Sequence, residues 1–186
     1  SPHRNFIFPL DSEAEFIYLR VQTSTSMQVP LLFWDADQFS RHDQGALLRQ
    51  GIFLGVLIVM ALYNLFIFAG TRETSFILYV GYVFSIAFYQ AFHHGLTYQF
   101  LWPASPYWHN ISGGLFISGA VFFVSLFSRE ILVLSKTSPV LHQYLKIAAA
   151  IAGTLFLMSF AFSYSVIARL VIVLAIPTAL LIISAG

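Results

Sequence analysis

The sequence predicts a mainly α, polytopic membrane helix bundle preceded by a short antiparallel β segment. Three observations lead there. Gly51 to Gly70, GIFLGVLIVMALYNLFIFAG, holds no ionisable side chain. That is about 20 residues, enough for a helix rising ~1.5 Å per residue to cross a ~30 Å hydrocarbon core. Further apolar stretches follow it, and the mean hydropathy is +0.78. Only 9% of the 186 residues are charged, against about 25% in an ordinary soluble domain. Lipid offers a peptide group no hydrogen bond, so such runs are most cheaply helices that satisfy their own backbone.

Composition also excludes. The formal net charge is +1, which gives no case for nucleic acid or an acidic substrate. Without cysteine there is no disulfide, thiolate metal site or thiol nucleophile. No Gly-rich phosphate loop, no carboxylate pair in an apolar setting and no Ser nucleophile motif occurs. No catalytic, cofactor-binding or metal residue is therefore assigned, and no cofactor is expected.

Residues 1–44 form the first expected unit. FIYLRVQ, Phe16 to Gln22, alternates in part and is rich in β-branched and aromatic residues, the mark of a strand. Arg4 to Leu10 is a second candidate, with Asp11, Ser12 and Glu13 as the hairpin connection. Met27 to Trp34 is a third, placed at an edge by Pro30. Three short strands bury little, so they are expected to end a larger sheet that begins before Ser1.

Residues 45–186 form the second unit, with Asp35 to Gln50 as a polar approach to it. Helices are expected at about 46–70, 75–92, 111–127, 147–162 and 166–185. Gly70 should stop the first, and Thr71 to Thr74 make a turn so short that the second runs back antiparallel. Gly81, Ser85 and Ala87 allow close helix contact. His93 to Asn110 carries Tyr98, Trp102, Tyr107 and Trp108 with two prolines and no Lys or Arg, the pattern of an interfacial loop with aromatic anchors. Arg129 to Lys146 is a basic, partly helical connector. Pro177 should kink the fifth helix, and more membrane is expected after Gly186. Arg72, Arg129, Lys136 and Lys146 in the first and third connectors point those to the cytoplasm and the amino terminus outward, with Arg41 and Arg49 opposed.

A few polar residues stand out. His93, His94 and His109 flank one loop and admit a metal, but neighbouring His93 and His94 diverge by about 100° on a helix; interfacial polar residues are the simpler account. Asn64 is read as a hydrogen bond between helices worth ~0.6 kcal/mol. Arg169 lies about one turn into the fifth helix and is read as snorkelling to the surface, with an intramembrane functional charge as the alternative. The loop from Gly95 to Trp108 is expected to dock against the β segment near Trp34. The candidate functional residues are Trp34, Asn64, Tyr98, Trp102, Trp108 and Arg169.

The run of motifs is specific. FIYLRVQ is followed by PLLFWDADQF, then ALYNLFIF, RETSFILYVGYV, YQAFHHGLTYQFLWPASPYWHN and FSREIL. The chain resembles the bacterial seven-transmembrane receptors with diverse intracellular signalling modules (7TMR-DISM). The marks are Tyr63, Asn64, Tyr79, Gly95, Leu96, Tyr98, Leu101, Trp102 and Pro103. The resemblance implies that residues 1–44 end a periplasmic jelly-roll-like β-sandwich with carbohydrate-like ligands, and that five of seven helices follow. It implies a receptor in the bacterial inner membrane that signals to a cytoplasmic output domain in cis, such as a diguanylate cyclase or histidine kinase. The expected partners are membrane lipid, a periplasmic small-molecule ligand and that output domain, with a homodimer left open. The alternative is a transporter or channel subunit, for which only Pro177 and Gly113–Gly114 are candidate helix breaks. A membrane enzyme or haem protein using His93, His94 or His142 is a second rival.

Overall fold

The computed structural model describes residues 7, 8, 10, 16, 18–20, 31–103, 105–132 and 138–185. Five long helices make up most of it: α1 (Ala36–Thr71), α2 (Thr74–His93), α3 (Pro106–Ile131), α4 (Pro139–Met158) and α5 (Tyr164–Ala185), with a π-helical turn at Thr97–Leu101 between α2 and α3. Each of the five is long and apolar enough to cross a membrane. The chain is a polytopic helix bundle, as its composition requires. Of the strands expected over Arg4–Leu10, Phe16–Gln22 and Met27–Trp34 half of the residues are described, and the hairpin connection at Asp11–Glu13 lies outside the described residues. Among the described residues before Ala36 none is in a strand.

The helices begin and end differently from the apolar runs. The polar approach Asp35–Gln50 is helix from Ala36 onward, so the boundary expected at 44/45 falls inside α1. The cause is that apolarity is needed only within lipid, whereas helix hydrogen bonds propagate through any good former. Asp35 sits extended at the N-cap, and Asp37 in the first turn favours the positive end of the helix dipole. Gly70 does not stop α1. The helix closes at Thr71, and Arg72 takes the left-handed conformation at φ 60° with its N–H donating to Phe68 O at 2.8 Å. Thr71 Oγ1 donates to Ile67 O, which holds that last turn without glycine. The connector after α3 is shorter than Arg129–Lys146, because Pro139 opens α4 at a position where a missing N–H costs nothing. α4 accordingly ends at Met158 rather than near Phe162, where short bonds from Phe160 and Ala161 tighten the chain.

The helix α3 is the hub. It packs against α2, α4 and α5, whereas among the described residues α1 touches α2 alone. Small residues make the close approach. A Cβ on Gly81 would lie 2.6 Å from the Phe123 ring, and one on Gly119 3.0 Å from Ser85 Oγ. The sequence expectation for Gly81 and Ser85 is met by this contact. The buried hydroxyls return to their own backbones four residues earlier: Ser118 to Gly114 O, Ser125 to Val121 O and Ser159 to Leu155 O, at 2.7–2.9 Å. Each is thereby satisfied without a partner helix, so serine acts as a small spacer. An apolar core of Val121, Ala152, Leu155, Ile167 and Val171 joins α3, α4 and α5. A smaller one of Ala61, Val80 and Val83 joins α1 to α2. α3 runs unbroken through Gly113–Gly114, so that pair is not a helix break. α5 continues through Pro177.

Candidate functional site

The loop end of the bundle concentrates the polar and aromatic side chains. Phe92, near the end of α2, is the centre. Its ring lies 4.6 Å from His109 and 5.1 Å from Tyr164, and Tyr89 is 6.4 Å away. The Tyr89 and Tyr164 hydroxyls meet at 3.4 Å, tying α2 to α5. Gly113 makes this possible: a Cβ there would overlap the Phe92 ring and stand 2.9 Å from Tyr164. The loop then turns at Gly95, φ 72°, a conformation that costs glycine nothing. It winds through the π turn, where Trp102 N–H donates to Thr97 O at 3.0 Å. Tyr98 leans edge-on against His109 at 5.5 Å.

Four buried polar atoms at this end have no hydrogen-bond partner among the described residues: Thr97 Oγ1, Gln99 Oε1, Trp102 Nε1 and His109 Nδ1. Each such atom costs about 1–3 kcal/mol unless a partner meets it. A second feature lies alongside. Between the amino-terminal half of α1 and the end of α2 lies a cleft of about 410 Å³ whose walls include Arg49, Gln50, Phe53, Gln90 and His94. A second cavity of about 320 Å³, between α1 and the π turn, shares Leu54, Ala91 and Leu96 with it and is almost wholly apolar.

The residues singled out from sequence fall into three groups. Tyr98 and Trp102 lie in this site; Trp108, in the first turns of α3, is half exposed beside it. Trp34, two residues before α1, packs its ring on His42 of that helix at 4.7 Å, tilted by 30°. Asn64 is a correction: its Nδ2 donates to Met60 O at 2.8 Å, within α1 and not between helices. In a helix facing away from most of the bundle, the nearest acceptor is the helix's own carbonyl. Arg169 faces away from the bundle, as a snorkelling side chain would. Arg169→Leu is therefore expected to insert normally and shift stability by no more than about 0.5 kcal/mol. A melt in detergent beside Arg169→Lys checks this; a collapse restored by lysine would assign the charge a structural partner. His93 and His94 are edge-on at 5.9 Å, while His109 packs on Phe92. Among the described residues no group of three or more His, Asp or Glu is placed to hold a metal ion.

Sequence reasoning did not find Phe92, Gly113 and Tyr164. The signal available was a glycine on α3 opposite aromatic residues on two other helices, which needs the packing to be seen.

No curated protein and no solved structure matches the chain. Two family descriptions do. Residues 1–35 match the 7TMR-DISM extracellular 2 domain, and residues 46–186 match the domain described as 7TM diverse intracellular signalling. The second covers well over half of the chain, and the domain is of receptor type rather than catalytic. The chain is therefore a multi-pass membrane protein of signalling type, and it belongs to the 7TMR-DISM family.

Proposed function

We propose that this chain receives a signal outside a bacterial inner membrane and passes it to a cytoplasmic output domain. One observation carries the reading. The extracellular match ends at residue 35, and α1 begins at Ala36 and runs without interruption through its apolar span to Thr71. A rigid helix therefore leads directly from the sensing segment into the bundle. The ligand, carbohydrate-like or otherwise small, would bind one of two sheet–bundle arrangements better and shift their populations by that difference in affinity. A diguanylate cyclase or a histidine kinase would read the shift. Trp34 at the head of α1, with Tyr98, Trp102 and Trp108 at the loop end, are the residues proposed to couple sensing segment to bundle. Asn64 and Arg169 hold lesser places, one inside α1 and one toward lipid.

Orientation follows from the basic residues Arg72, Arg129, Lys136 and Lys146 on one side. A protein with no cysteine of its own makes the test clean. In intact spheroplasts, cysteine at Ser105 should react with an impermeant thiol reagent, and cysteine at Ser138 only after lysis. Labelling of Ser138→Cys alone in intact cells would reverse the topology and with it the direction of signalling.

A further inference from the structure

We propose that the cleft between α1 and α2 is a binding site for an anionic phospholipid of the surrounding membrane, which wedges the two helices apart. The depth of the cleft comes first. Gly51–Gly70 is the apolar span of α1, so Arg49 and Gln50, immediately before it, stand at headgroup level. Phe53 and Leu54, one turn further, stand among acyl chains. The antiparallel α2 brings Gln90 and His94 to the same polar level. The cleft is thus polar and cationic at its mouth and apolar below, in register with the membrane itself.

Its shape is second. The apolar cavity that continues from it has walls of Gly51, Leu54, Phe100 and Leu101. Gly51 has nothing within 4 Å of where a Cβ would be, so the groove is open along α1. Together the two spaces reach the roughly 300–1,000 Å³ of small-molecule sites. Thr97, fully buried with Oγ1 unpartnered, is part of the inner wall and offers a hydroxyl to a glycerol or ester oxygen. Charge complementarity selects the occupant. The cation at the mouth is a guanidinium, whose fork pairs with phosphate oxygens. An acyl chain is the apolar group that a membrane supplies at this depth.

The arrangement also has a mechanical reason. α1 is joined to α2 at Ala61 with Val80 and Val83, below the cleft, and to no other helix of the described bundle. An occupant of the upper cleft sets the angle between the two without disturbing α3.

Native mass spectrometry of the protein in a neutral detergent tests this, with dioleoyl phosphatidylglycerol and dioleoyl phosphatidylcholine supplied at equal concentration. The wild type should retain the anionic lipid about fivefold in preference to the zwitterionic one. Arg49→Gln should bring the ratio close to one. Arg129→Gln, at the other end of the bundle, should leave it unchanged. Leu54→Trp, which fills the apolar cavity, should lower retention of both lipids; melting curves taken first show whether that variant folds, and the Arg49→Gln arm decides alone if it does not. Glycerol 3-phosphate, which has the headgroup charge without chains, should fail to displace the lipid. An unchanged ratio in Arg49→Gln, or displacement by glycerol 3-phosphate at lipid-like concentrations, overturns the proposal. The outcome is independent of orientation and of the output domain, so its failure would leave the receptor reading standing.

Discussion

Gly113→Val should unseat the loop end of the bundle and cost about 3 kcal/mol, at the upper end of what overpacking does. The Phe92 ring lies across Gly113, with Tyr164 against the same position at 2.9 Å from a notional Cβ. Neither neighbour is free to retreat. Phe92 is held between His109 and Tyr164, and Tyr164 is tied to Tyr89. A β-branched side chain, stiff at χ1, finds no rotamer that avoids both. Gly55 supplies the control, since nothing lies within 4 Å of its Cβ position. Gly55→Val should be nearly neutral. Thermal unfolding in detergent should separate the two, and Phe92→Leu should recover part of the loss at Gly113 by vacating space. Equal losses at Gly55 and Gly113 would show that the effect is helix propensity rather than contact.

The second large effect is expected outside the membrane. Gln44→Pro should break α1 between its exposed start and its apolar span. Proline removes the bond from residue 44 to the Ser40 carbonyl and crowds that carbonyl with its ring, at about 3 kcal/mol within a helix. Gly51–Gly70 is untouched, so insertion should be normal. On the proposed receptor reading, the response to ligand should vanish in the full-length protein while basal output stays. The geometry is measurable without knowing either. Spin labels at Asp37 and Leu62, both exposed, span 25 residues, roughly 38 Å of unbroken helix. The wild type should give a narrow distribution there, and Gln44→Pro a broad and shorter one. A narrow peak retained in the variant would mean that the stalk tolerates the break and that α1 is not the rigid connection.

The membrane architecture was legible because its physics is one-dimensional. Hydrocarbon thickness fixes the length of an apolar run, and no packing detail is needed to read Gly51–Gly70. Helix ends were legible only where lipid sets them. Ala36–Gln50 is helical although polar, which hydropathy does not see, and Pro139 begins α4 well before its apolar stretch. Gly81 and Ser85 were found because small residues signal close approach. Phe92 and Tyr164 were not, because an aromatic residue in an apolar helix looks the same whether it meets lipid or another helix. Asn64 was misread for a related reason. Its best acceptor, Met60 O, is in its own helix, and the choice depends on which face of α1 is partnered. The aromatic loop was visible as a stretch, but its unpaired Thr97, Gln99 and Trp102 atoms exist only in the folded chain.

Among the described helices α1 is anchored on α2 alone, and that has a mechanical consequence. Measured along the helix, Ala61 lies 25 residues, roughly 38 Å, from Ala36, and ten residues, roughly 15 Å, from Thr71. A stiff rod pivoting at Ala61 is therefore a reducing gear of about 2.5 to 1. A sideways swing of about 5 Å at the Ala36 tip becomes about 2 Å at the Thr71 tip, with the thrust raised in the same proportion. On the proposed receptor reading, soft, wide excursions of the sensing segment would arrive at the turn after Thr71 as short, forceful steps, the size of displacement that packed helices resolve as two discrete arrangements.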